Sequence, residues 1–247
     1  MSGVRSAWGG ERRARVLWGA GIVAVVVAGW LVAPRLLRRV TFFHVRQIEL
    51  VGVRYLSPDA VITALRLRPD ASVFDETAPL AARVRELRGI ADARVERRLP
   101  AALQVIVREV EPVAFVAGAG GRGLLPIDAT GRPLPYDPSR ATLDLPVAAT
   151  ADSGMAGLLA LVRSVDPTLY QDVTAARRFG RGDVELDLGP RRVLLTRDAG
   201  PEVIRAVVVV SQDLAAKGRS YAELDARFAG QVVVRRAPTR STLGGGA

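Results

Sequence analysis

The chain has 247 residues, no cysteine, one histidine, and 35 basic against 25 acidic residues, for a net charge of +10. Without cysteine there is no disulfide staple and no thiol chemistry, and one histidine is too few for the usual zinc or nucleophile-base arrangements. Charge by region argues against nucleic acid as a partner: residues 1–47 carry +7, whereas residues 48–247 carry only +3.

The first fifteen residues form a short basic head. Val16–Pro34, VLWGAGIVAVVVAGWLVAP, is nineteen residues without a charge, and as a helix it covers roughly 28 Å, close to a bilayer's hydrocarbon core. This predicts one transmembrane helix over 16–34. Trp18 and Trp30 stand near its ends, fenced by Arg15 and Arg35, with Arg38 and Arg39 just beyond, as expected of membrane-interface residues. A cleaved signal peptide is the competing reading, but the apolar run is too long for one and Pro34 follows the best small-residue cleavage position. Four arginines on each side leave the orientation open. Membrane lipid with anionic headgroups suits the basic excess, and an arginine-rich composition bias accounts for it equally.

Beyond the anchor, Val45–Val51 reads as a strand ending at Gly52. Ser57-Pro58-Asp59 starts a helix with Ile62, Leu65 and Leu67 inward, and a second helix from Thr77 or Pro79 to Gly89 buries Leu80, Val84 and Leu87. Ile90–Arg97 and Leu103–Arg108 alternate as two arms of a hairpin around Leu99-Pro100. Strand, helix, helix, strand, strand in so short a span requires both helices on one face of a three-stranded sheet.

Asp128–Gly131 reads as a turn between short apolar strands. A helix runs from Ser153, a candidate N-cap, to the breaker Asp166-Pro167. Val184–Leu188 and Arg192–Thr196 form a hairpin around Gly189-Pro190. Glu202–Lys217 is a long helix with Val203, Val207, Val210 and Leu214 as its stripe and Gly218 as its stop. Tyr221–Phe228 and Gln231–Arg235 are two strands around Ala229-Gly230, and the chain from Arg236 turns to Pro, Thr, Ser and Gly, a frayed tail. The fold class is therefore α+β: a membrane helix, a βααββ module, then a β-rich domain.

Ile48-Glu-Leu-Val-Gly52, Ser57, Arg94-Val-Glu-Arg-Arg-Leu-Pro100, Leu103-Gln-Val-Ile-Val-Arg-Glu109 and Pro112-Val-Ala114 together resemble the POTRA domain of the bacterial division proteins FtsQ and DivIB. Leu99 and Phe115 depart from that pattern, which often has Trp there. Leu125-Pro-Ile-Asp128-Ala-Thr-Gly131 and Leu145-Pro146-Val147 extend the resemblance beyond the module. It implies a head at 1–15 in the cytoplasm, a POTRA domain at 45–116, an FtsQ-type β domain at 124–235 outside the cytoplasmic membrane, and a disordered tail at 236–247. It also implies a non-enzymatic scaffold concentrated at the division septum of the cell inner membrane. The last strand would receive FtsB, in complex with FtsL, by strand addition. The positions implied are Phe228, Val232, Val233, Val234 and Arg235, with Tyr221 nearby; other division proteins would meet the POTRA domain.

Catalytic readings are weak on the residues themselves. His44 has no cysteine or second imidazole to work with. Ser153 beside Asp152 has no histidine base, and helix capping accounts for both. Glu185 and Asp187 share one strand face, which reads as solvated. Gly118-Ala-Gly120-Gly-Arg-Gly123 spells a dinucleotide fingerprint with Asp144 downstream, but strand and turn follow it where a phosphate site needs a helix. No cofactor or metal is expected. The rival functions are a POTRA-type chaperone of outer-membrane protein transport, which would call for tandem modules or a barrel, and a membrane-tethered hydrolase.

Overall fold

The computed structural model describes residues 37, 40–118, 120, 123–136 and 143–236. Among these no helix is long and apolar enough to cross a membrane. The expected span 16–34, the interface residues Arg15, Trp18, Trp30, Arg35, Arg38 and Arg39, and the tail beyond 236 all lie outside the described residues.

The chain forms two units, one of residues up to 53 together with 58–108, the other of residues 54–57 and 109 onward. The first unit has the expected order: β1 (Gln47–Val51), α1 (Pro58–Leu65), α2 (Thr77–Arg85), β2 (Ile90–Arg98) and β3 (Ala102–Glu109), in a sheet ordered β1-β3-β2. β1 runs parallel to β3, with Ile48 beside Leu103 and Leu50 beside Val105. Gly52 closes β1 with φ +87°, and a Cβ there would collide with the Val107 carbonyl oxygen, so only glycine fits. The core joins Val61, Leu65, Val73, Leu80 and Val84 to Ala93, Val95, Leu103, Val105 and Val107. The phase of α1 differs from expectation. Val61 is buried beside Leu65, whereas Ile62 is exposed, because a helix of barely two turns shows too few apolar positions to fix its inward stripe. The helix also stops at Leu65, where Arg66 adopts positive φ, so Leu67, expected on its inward face, lies beyond its end.

The second unit is built on an eight-stranded sheet ordered β11-β10-β9-β8-β7-β6-β4-β5. Its strands are β4 (Ala114–Ala117), β5 (Leu124–Ile127), β6 (Val147–Ala148), β7 (Ala175–Phe179), β8 (Asp183–Leu188), β9 (Arg191–Thr196), β10 (Glu223–Phe228) and β11 (Gln231–Arg235). The expected module boundary at 116 thus falls within β4, which pairs in this larger sheet with β5 and β6. In this unit the Glu109 carboxylate accepts the backbone N–H groups of Arg54, Tyr55 and Leu56 at 2.9–3.0 Å. Three donors converging on one buried carboxylate make a strong charge-assisted clamp.

Helices α3 (Ser153–Val165), α4 (Pro167–Asp172) and α5 (Pro201–Ala216) supply the rest of the core. Met155, Leu158, Leu159 and Val162 of α3 and Ile204 and Val207 of α5 join Ala176, Val184, Leu186, Val193, Leu195 and Leu224 of the strands. The N-cap of α3 is Asp152, one residue before the expected Ser153; its carboxylate accepts from the Met155 N–H at 3.0 Å. Asp166 ends α3 and at once caps α4 through the Leu169 N–H. The Asp128 turn forms as expected, its carboxylate accepting from the Thr130 N–H and hydroxyl and from the Arg132 N–H.

Candidate partner-binding edge

β10 and β11 pair antiparallel around the turn at Ala229-Gly230, where Gly230 has φ +70°. Glu223 lies opposite Arg235, Leu224 opposite Val234 and Asp225 opposite Val233; an irregularity between Asp225 and Phe228 shifts the register to Phe228 opposite Gln231. β10 continues parallel to β9 on its other side. Among the described residues β11 has β10 as its only strand neighbour, so one edge of a five-residue strand carries unused backbone donors and acceptors.

The two faces of this sheet differ in chemistry. On one, Ala176, Leu186, Val193, Leu224 and Val234 stand in register across β7 to β11, over the helices. On the other, Asp187, Arg192, Glu223 and Arg235 form one row, and Arg177, Glu185, Leu194, Asp225 and Val233 the next. Leu194, only 1% exposed, therefore sits on the charged face. Glu185 is also buried, correcting the expectation of a solvated face; it accepts from the Arg177 guanidinium. Arg192 Nε donates to Glu223 at 2.6 Å. Arg227 grips both carboxylate oxygens of Asp225 at 2.7 and 2.8 Å, donates to Asp183 at 2.9 Å, and lies over the Phe179 ring. Those bonds from Asp225 and Asp183 raise the pKa of Arg227, and the Arg227 hydrogen bond holds Asp225 below the usual carboxylate range. The alternation Asp183-Val-Glu-Leu-Asp187 and Glu223-Leu-Asp-Ala-Arg227 is visible in sequence; its arginine partners across the sheet are not.

Of the positions expected to meet a partner, Phe228, Val233 and Val234 are exposed and Arg235 stands beside them, while Val232 packs partly against the core. Tyr221 differs. It is buried, its hydroxyl shares a hydrogen bond with Ser211, and Arg191 stacks over its ring. It braces the start of β10 from inside, because the strand-initiating ring turns toward α5 and away from the open edge.

Elsewhere, Asp152 draws in Arg178 and Arg197 across the end of the sheet. Burial pushes its carboxyl up, but the Met155 amide, the Thr150 hydroxyl and Arg178 outweigh burial and hold it down to about 2. Among the described residues no three His, Cys, Asp or Glu side chains gather as metal ligands would. Gly123 leads directly into β5, so the glycine fingerprint opens a strand.

Residues 43–109 match the POTRA domain of FtsQ type. The chain is 28% identical to the Cell division protein FtsQ of Rhodothermus marinus over 267 aligned residues, covering 95% of this chain and 91% of that one. It is 28% identical to the protein of the same name in Mycobacteroides abscessus, covering 61% of this chain and 49% of that one. With the Mycobacterium tuberculosis protein of that name the identity is 26%, over 71% and 56%. An FtsQ-type POTRA domain in the first unit, followed by similarity that runs on through the strand-rich second, makes this chain similar to the FtsQ/DivIB family over most of its length and supports that family for it.

Proposed function

We propose that the chain acts in bacterial cell division as a bitopic membrane scaffold that recruits FtsB, with FtsL, by strand addition to β11. The head lies in the cytoplasm, one helix at 16–34 crosses the membrane, and the body projects outward at the division septum. Its POTRA domain contacts other division proteins. It catalyses no reaction; its work is to hold small partners where septal wall synthesis is controlled. The observation that carries this reading is the apolar edge of β11, where Val233 and Val234 are exposed on a strand with one neighbour among the described residues. A guest strand gains ladder hydrogen bonds there, and the flanking side chains select it.

Successive residues of a strand turn their N–H groups to opposite edges, so one of Val233→Pro and Val234→Pro removes an outward donor without breaking the β10 pairing. In the full chain that variant keeps its melting temperature and loses about a hundredfold or more in FtsB affinity, the cost of breaking a ladder at its centre. Wild-type affinity in both folded variants would refute strand addition at β11.

A further inference from the structure

Across the open face of the large sheet, charge alternates strand by strand: Asp187 on β8, Arg192 on β9, Glu223 on β10, Arg235 on β11, each directly opposite the next. Glu223 is the pivot of this row. Its side chain is 3% exposed, one oxygen takes the Arg192 bond, and the other lies 3.2 Å from Arg235 Nε, where it accepts no hydrogen bond. Arg235 is the last link and leaves 63% of its side chain exposed. It faces an acid on its β10 side, and on its other flank no further strand stands among the described residues.

The adjacent row has a different rhythm. Glu185, Leu194, Asp225 and Val233 follow one another, with Asp225 already neutralised by Arg227. A residue entering beside Val233 on this face therefore meets an apolar side chain, and one entering beside Arg235 meets a largely exposed cation whose ion-pair partner is the buried Glu223. On the opposite face, a guest residue meets Val232 and Val234, with Val210 and Leu214 of α5 in the same apolar cluster as Val232.

We propose that the strand accepted by β11 carries an aspartate or glutamate that lies directly opposite Arg235 on the open face, extending the charge row by one link, with apolar residues on its helix-facing side. This rests on the strand-addition reading above and adds to it the partner's pattern. Directly opposed unlike charges favour pairing and like charges oppose it, so Arg235 selects among strands that the backbone ladder alone would accept equally.

The test uses three eight-residue peptides that alternate Val with Glu, Gln or Lys. Alternation keeps all the valines on one face whichever end of the peptide enters first, and the apolar helix-facing side around Val232 selects the register that turns them toward it. With the full chain, the Val-Glu peptide protects the amides of Gln231–Arg235 from hydrogen exchange and binds about tenfold more tightly than Val-Lys, with Val-Gln between, as expected of cross-strand charge pairs. Arg235→Glu, on an exposed side chain, lowers that preference by about tenfold. Protection by all three peptides with equal affinity, or a preference that Arg235→Glu leaves unchanged, would overturn the acid-matching inference and leave strand addition standing. No protection of β11 by any of the three would overturn both.

Discussion

The two ends of the large sheet are finished in opposite ways. β5 is four residues long and contains Pro126, which has no donor to offer. Beyond it the Asp128 turn brings the chain back, so that Pro133 bridges to Ile127 and the Leu134 N–H donates to the Pro126 carbonyl at 2.8 Å. β11 has three successive valines, no proline, and no returning segment among the described residues. The three-stranded sheet manages its β2 edge in a third manner, with Arg94, Glu96 and Arg98 exposed along it. Covering and charging are the ordinary ways of keeping an edge from meeting another chain. Of the four edges of the two sheets, β5 is covered and β2 is charged, whereas β1 and β11 each have one strand neighbour among the described residues; β11 presents three successive valines, and pairing is the use proposed for it.

If the β5 end is the fixed one, damage there should be structural. Ile127 is fully buried, and Ile127→Ala should cost about 2–4 kcal/mol in unfolding free energy by denaturant titration. Val233→Ala, at a position 40% exposed, should cost less than about 0.5 kcal/mol. Equal losses would show that β11 is as much a part of the core as β5 and would undo the contrast.

Between these ends, the middle of the sheet is tied to α3 through Asp152, which binds Arg178 of β7 and Arg197 just after β9. Its pKa in the folded chain, about 2, lies below the ordinary 3.8. A lowered carboxylate contributes stability that is present above about pH 4 and is lost as pH falls toward 2. A shift of this size corresponds to about 2 kcal/mol. Asn is also a good N-cap, so Asp152→Asn keeps the cap and removes the charge. Wild type should exceed the variant by about 2 kcal/mol near pH 7, and the two should converge near pH 2. A gap that persists at pH 2 would assign Asp152 a role independent of its charge.

Much of this plan was readable from period and punctuation. The βααββ order, the stripes of α3 and α5, the β8–β9 hairpin and the final pair around Gly230 follow from alternation, 3.6-residue spacing, and glycines where φ is positive. β7 was not readable, because Ala-Ala-Arg-Arg-Phe shows no apolar alternation: Ala176 faces the helices, while Arg177 is spent on Glu185. Glu185 looked like a solvent-facing acid because alternation puts it on the polar side of β8. Its burial depends on Arg177 of the neighbouring strand, and pairing across a sheet leaves no mark in the local pattern. The edge at β11 was legible as the last strand before a polar tail, but Tyr221 was misplaced, since an aromatic at a strand's start gives no sign of the face it will take.

The smallest expected effect on stability is the most direct probe of why β11 is bare. Val233→Lys places on β11 the kind of residue by which β2 is already protected. At a half-exposed position opposite Asp225, which is bound to Arg227, the lysine ammonium can reach solvent, so stability should change by no more than about 0.5 kcal/mol. Edge-to-edge association is another matter, because a charge on the incoming strand's path must be desolvated or displaced. Sedimentation at increasing concentration should then show less self-association for Val233→Lys than for wild type, with melting temperatures alike. If wild type remains monomeric throughout and Val233→Lys binds FtsB as tightly as before, the apolar edge is not what its neighbours read, and the contrast between β5 and β11 would be one of shape alone.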